Sequence, residues 1–228
     1  GPGPGMTPEA VHQQIDLAAD VGAEVFFLDA SWYTGLSRSW FETVGDWNID
    51  PERFPEGLDA IREHAHTRGM LFGLWMDAER IGAESQMAQS HPEWLAKAYD
   101  GQRYLGDMLD LTNPEVAAWM EGQIERVIRD NQLEFFRLDM NVGSIGPGAG
   151  VLRDGAIENG YWRYYEALYA IYDRLRDRFP DVIFEHCAAG GGRTDIAMVS
   201  RFAHTWVADW HAARPPRGGS QQERDRCQ

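Results

Sequence analysis

The strongest constraint on how this chain can fold is an alternation. Stretches with helical apolar spacing give way, again and again, to short apolar runs of strand length. Residues 6–22, 55–69, 113–130, 160–179 and 195–202 read as helices. Residues 24–30 (EVFFLDA), 70–76 (MLFGLWM), 133–141 (LEFFRLDMN), 181–187 (DVIFEHC) and 203–209 (AHTWVAD) read as strands. These runs are too continuously apolar for a sheet with one wet face, so both of their faces are expected to be covered. Gly22 and Gly69 close two of the helices. Asn113 stands as an N-cap ahead of Pro114 at a first helical position.

Repeated β-α units with buried strands imply helical crossovers and a parallel sheet. A closed barrel and a doubly wound sheet both meet that requirement. Polar residues recur at the C-terminal end of strand after strand: Asp29, Asp77, Asp139, Cys187 and Asp209. In a barrel those ends converge on one mouth, whereas an open sheet spreads them apart. The expected fold is therefore α/β, of the (β/α)8 TIM-barrel type. About five to six of the eight units fit within 228 residues. Residues 1–217 are expected to form this partial barrel, short of a first strand and the last two. Residues 218–228 read as a polar, disordered or non-native tail.

Charge narrows the partners. Lys and Arg number 21 against 36 Asp and Glu, a formal net charge of −15. Such a surface repels phosphate backbones and anionic lipid, which argues against nucleic acid and membrane partners and leaves a neutral sugar unpenalised. Aromatic residues make up 12% of the chain, a content that suits stacking on sugars and equally suits a core. No apolar run approaches the roughly 20 residues of a membrane span. The two cysteines, Cys187 and Cys227, do not read as a disulfide framework, which favours a cytoplasmic setting. The histidines are scattered, without zinc-ligand spacing.

Two of the strand-end carboxylates suit glycoside chemistry. A retaining enzyme uses one carboxylate to attack the anomeric carbon and a second carboxyl to protonate the leaving oxygen, about 5–5.5 Å away. Asp139 ends an apolar strand, where a carboxylate is costly to bury without purpose. Arg137, two residues earlier, points to the same strand face and would place a cation where a nucleophile needs one. On spacing alone, a carboxylate that caps a loop or helix fits Asp139 equally well. Asp209 lies beside Trp210, whose ring would shield a general acid from water. On spacing alone, a solvated strand-end aspartate is the simpler reading there. The glycine-rich CAAGGGRTD (187–195) lacks the ending and spacing of a phosphate loop and reads as a turn where backbone closely approaches a ligand. Cys187 either lines that pocket or fills the core as a small apolar group.

Taken in order, LDASWYTG, GDWNIDPERFPEGLDAI, GMLFGLWMDAE, HPEWL, LDLTNPEV, FFRLDMN, CAAGGGRTDIAMV and WVADW resemble glycoside hydrolase family 36, the α-galactosidases, and more distantly family 27. The resemblance covers roughly residues 7–217. It implies a nucleophile at Asp139, matching the family's K-W-D-x-N, and an acid/base at Asp209, matching W-x-S-D. It implies sugar contacts from Asp29, Trp75, Arg137, Cys187, Gly190 and Gly191, and from Arg103 by a looser alignment. Trp32, Asp77, Asn141 and Trp206 complete the expected substrate-binding set. No cofactor or metal is required.

Three departures stand out. Ala30 replaces a second sugar-binding aspartate, Arg137 replaces a lysine, and Asp77 replaces a glutamate. The first two alter the groups that hold the sugar, and arginine is no conservative stand-in at a tight contact. The expected partner is an α-galactoside or related hexoside, with a transglycosylase as a variant and a homo-oligomer left open. The alternative is an inactive or sugar-binding fragment that needs missing strands or a partner chain. A doubly wound nucleotide-binding enzyme is the weaker third reading, since no dinucleotide fingerprint follows a strand.

Overall fold

The computed structural model describes residues 6–97, 107–141, 151–153, 156–158 and 160–209. The expected tail, Trp210 and Arg103 lie outside the described residues. Five parallel strands form one sheet: β1 (Val25–Leu28), β2 (Leu71–Met76), β3 (Phe135–Leu138), β6 (Ile183–His186) and β7 (His204–Thr205). Their order is β1-β2-β3-β6-β7, so each new strand is added on the same side of the one before. A doubly wound sheet reverses its order at a switch point. This one does not, which fits the barrel expectation and rejects the doubly wound one.

Helices fill the connections. The longer ones are α1 (Pro8–Asp20), α3 (Asp59–Thr67), α5 (Pro114–Asp130) and α6 (Gly160–Arg178). Their short companions are α2 (Trp40–Thr43), α4 (Gln86–Ser90) and α7 (Ile196–Val199). Local chemistry fixes the ends. The Asn113 side chain accepts from Glu115 N at 3.0 Å and caps α5, with Pro114 at its start. Asp195 caps α7 through Ala197 N and Met198 N. Gly22, at φ 82°, supplies the left-handed turn beyond α1. Val116, Met120, Ile124, Val127 and Ile128 are the buried residues of α5. Their three- and four-residue spacing makes one apolar stripe against the sheet.

All of β3 is buried, as expected for a central strand with both faces covered. Two elements depart from the sequence expectation. A small antiparallel hairpin pairs β4 (Val151–Arg153) with β5 (Ala156–Glu158). The last strand is also shorter than residues 203–209: β7 holds only His204 and Thr205. After Trp206 N donates to His186 O at 2.9 Å, the chain leaves the sheet. Asp209 therefore stands in a loop, four residues past its strand. Asp29, Asp77, Asp139 and Cys187 each directly follow theirs. Among the described residues, no helix is long and apolar enough to cross a membrane.

Candidate active site

Asp139 is 8% exposed and is gripped on both oxygens. Oδ2 accepts from Trp75 Nε1 at 3.0 Å and from Asn141 Nδ2 at 2.8 Å. Oδ1 accepts from Met140 N at 2.8 Å and from Ala189 N at 3.1 Å. Four donors from three strand ends leave the carboxylate little freedom to rotate. Trp75 is itself backed by an aromatic cluster. Tyr33 stacks parallel to it at 6.4 Å, and Trp40 meets it edge-on at 5.5 Å. Trp32 is wholly buried, and its indole N–H donates to the Trp75 carbonyl at 2.8 Å. Trp32 thus holds the Trp75 backbone from behind, and its ring, expected among the substrate-binding residues, is buried.

Asn141 joins two carboxylates. Its side-chain amide also reaches Asp77 Oδ2 at 3.3 Å, and its backbone N–H donates there at 3.1 Å. Asp77 is fully buried, and its Oδ1 has no hydrogen-bond partner among the described residues. Burial first, then the neighbouring Asp139 charge, pushes the Asp77 carboxyl up to about 7. The same buried ground holds Cys187, a free thiol that burial pushes well above its ordinary range. The residue is 3% exposed, which fits the small-apolar reading of Cys187.

Arg137 does not take the position expected of it. Its Nε forms an ion pair with Glu185 on the neighbouring strand, where the two residues are in register. Its guanidinium lies over Phe27 at 4.1 Å and under Trp206 at 4.4 Å. Its charge is thus committed to Glu185 and the two rings, and the expected cation beside Asp139 gives way to neutral N–H donors.

The glycine-rich turn is the element that unites the site. Ala189 and Gly190 both have left-handed backbone, at φ 44° and 82°, and this turn aims the Ala189 N–H at Asp139. A Cβ on Gly190 would lie 3.1 Å from Asp209 N, and one on Gly191 would lie 2.5 Å from Val207 O. The close backbone approach expected at a ligand is thus made, at these two glycines, to the loop that carries Asp209. One short turn therefore touches the Asp139 carboxylate and the backbone at Asp209. Asp209 is exposed, and Trp206 Nε1 donates to its Oδ1 at 2.7 Å. Among the described residues, the indole that reaches Asp209 is that of Trp206.

On the β1 side, Asp29 is half-buried, and its Oδ1 accepts from Ala30 N at 2.6 Å. Ala30 is 1% exposed. Sequence reasoning missed Glu185 and His204, which faces the second Glu185 oxygen, and it missed Glu79 and Arg193. Among the described residues, no group of three His, Cys, Asp or Glu side chains is placed to hold a metal.

A parallel sheet whose strands accumulate in one direction, with acidic groups at the strand ends, defines a barrel-type α/β protein with its site at the strand C-termini. The chain belongs to the melibiase family, whose model matches residues 6–214. Alpha-galactosidase 2 of Pediococcus pentosaceus is 33% identical over 207 residues, 90% of this chain and 29% of the relative. Alpha-galactosidase of Escherichia coli is 30% identical over 206 residues, 89% of this chain and 28% of that protein. Among solved structures, the GH36 alpha-galactosidase AgaA of Geobacillus stearothermophilus superposes with a TM-score of 0.80 at 28% identity, covering 90% of this chain and 29% of its own. The chain thus spans under a third of the length of the relatives it matches.

Proposed function

We propose that this chain carries the catalytic centre of a retaining α-galactosidase-type glycoside hydrolase, with Asp139 as nucleophile and Asp209 as acid/base. The observation that carries the reading is the glycine turn, which bonds Asp139 through Ala189 N and packs against the backbone at Asp209. A double displacement needs two carboxyls close to one sugar, and one short element meets both the Asp139 carboxylate and the backbone of Asp209. Asp139 attacks the anomeric carbon and forms a glycosyl ester as the bond to the aglycone oxygen breaks. Asp209 gives that oxygen its proton. Water then attacks the anomeric carbon, Asp209 takes a proton from the water, and the bond from that carbon to Asp139 breaks so that Asp139 leaves as carboxylate. No step calls for a metal or cofactor.

The substrate class follows from the relatives and the charge. AgaA has been crystallised in complex with raffinose and, in another variant, with stachyose, so these neutral galactosides are the first substrates to test. Ala30 offers no carboxylate to a sugar hydroxyl, and the Arg137 charge is turned to Glu185. Specificity for galactose over related hexoses is therefore expected to be weaker than in enzymes with the full set, because a missing hydrogen-bonding group removes discrimination.

Hydrolysis of nitrophenyl α-galactoside tests the reading. Asp139→Ala should lose turnover by about 10⁴-fold or more, and Asp209→Ala should lose it at hydrolysis of the glycosyl ester, where water needs its base. Proton NMR of the first-formed sugar should show the α-anomer. No turnover on any α-glycoside, with sugar binding intact, would instead make the chain a sugar-binding fragment.

A further inference from the structure

Four residues of the sheet lie side by side. Trp75 on β2 pairs with Arg137 on β3, Arg137 with Glu185 on β6, and Glu185 with His204 on β7. Residues in register on parallel strands share a face, so this row crosses the sheet on the side that also carries Asp139, two residues past Arg137. Glu185 is 3% exposed and uses one oxygen for Arg137 Nε and the other for His204 Nδ1. The flat Arg137 guanidinium is thereby fixed against both Phe27 and Trp206. Trp206, seated on that guanidinium, turns its indole N–H to Asp209 Oδ1 at 2.7 Å.

Asp209 stands on an exposed loop segment beyond the last strand, where a side chain is ordinarily free to choose its rotamer. The bond from Trp206 is the one specific contact the described structure gives its carboxyl. Trp206 is held from below by a guanidinium whose own orientation is set by Glu185. We infer that Glu185 is a positioning residue for the acid/base. It orients Arg137, Arg137 seats Trp206, and Trp206 presents Asp209 toward the leaving oxygen. The assignment of Asp209 rests on the proposed function, whereas the mechanical chain from Glu185 to Asp209 rests on geometry alone.

Two measurements test this on the full chain. In the first, the Trp206 indole N–H resonance is assigned by its loss in Trp206→Phe and followed by NMR. Glu185→Gln and Arg137→Lys should both move it, and Asp209→Asn should move it too. Arg137→Lys keeps a positive charge while removing the flat guanidinium, so it serves if Glu185→Gln fails to fold. An indole resonance unmoved in the folded variants overturns the inference whether or not the chain turns over sugar.

The second measurement compares α-galactosides with poor alkyl and activated aryl leaving groups, because only the former depend on a well-placed acid. Glu185→Gln and Trp206→Phe should lower kcat/KM, which reports departure of the leaving group, about 10- to 100-fold more on the alkyl substrate than on the aryl one. In an Asp209→Ala background, adding Glu185→Gln should bring almost no further loss, as expected for residues acting as one unit. Equal losses on both substrates, or full additivity, would show a merely structural Glu185. A wild-type chain with no turnover, but with the indole shifts intact, would sink the glycosidase reading and leave the positioning chain standing.

Discussion

Asp77 shows how a single buried group can make stability depend on pH. Its carboxyl is raised from 3.8 to about 7 by burial and by Asp139. In the unfolded chain it gives up its proton near pH 4, while in the folded chain it keeps it until about pH 7. The folded state therefore binds more protons across that window, and stability falls as pH rises through it. The shift corresponds to a loss of roughly 4 kcal/mol at most between pH 4 and pH 8. Asp77→Asn removes the titrating group. Urea midpoints at pH 5 and pH 8 should lie closer together in the variant than in the parent, and an unchanged gap would refute the raised pKa. The same residue bears on the family comparison. Asp77 stands where the family resemblance has a glutamate, and its Oδ1 is buried without a partner among the described residues. The aspartates at strand ends were legible in sequence because each interrupts an apolar run. Their partners were not, since Asn141 donates to Asp139 and Asp77 at once and those two lie 62 residues apart.

The glycine-rich turn between β6 and α7 is the element on which the site depends. Its composition announced a close approach, and the structure identifies the neighbour as the backbone at 207–209. A methyl group on Gly191 would meet the Val207 carbonyl at 2.5 Å, and backbone on both sides cannot yield as a flexible side chain would. Gly191→Ala should therefore push the Asp209 loop outward. The expected cost is about 1–3 kcal/mol in stability. The expected loss of kcat is near 100-fold, since an ångström of misplacement is that costly at a reacting centre. Melting temperature and kcat measured on one preparation check both. A variant with normal kcat would show that the turn does not set Asp209. The ends of β7 and the β4–β5 hairpin were the elements least legible in sequence. Apolar content continues through Trp206 and Val207, so only the packing of the turn against residues 207–209 shows where pairing stops.

Across the whole molecule, one buried ion pair ties distant segments together. Glu79, just past β2, takes Arg193 on both oxygens at 2.9 and 2.7 Å and accepts from the Tyr164 hydroxyl of α6 at 2.5 Å. Burial works against the Arg193 charge, but the Glu79 carboxylate outweighs it and raises the guanidinium above its usual range. Glu79→Gln strands that cation in the interior, and a loss of about 3–5 kcal/mol in urea unfolding is expected. A loss under 1 kcal/mol would mean that the pair contributes little to holding the barrel segment together. The sequence by itself determined the parallel α/β class and the strand cores. It also determined that acidic residues would gather at the strand C-termini. Strands covered on both faces must be apolar along their length, so a charge can enter only where they end. Only the tertiary structure decided that Arg137 belongs to Glu185, that Trp206 belongs to Asp209, and that the glycine turn is packed on backbone. Those pairings depend on strand register and loop packing between segments tens of residues apart, which no local pattern of residues encodes.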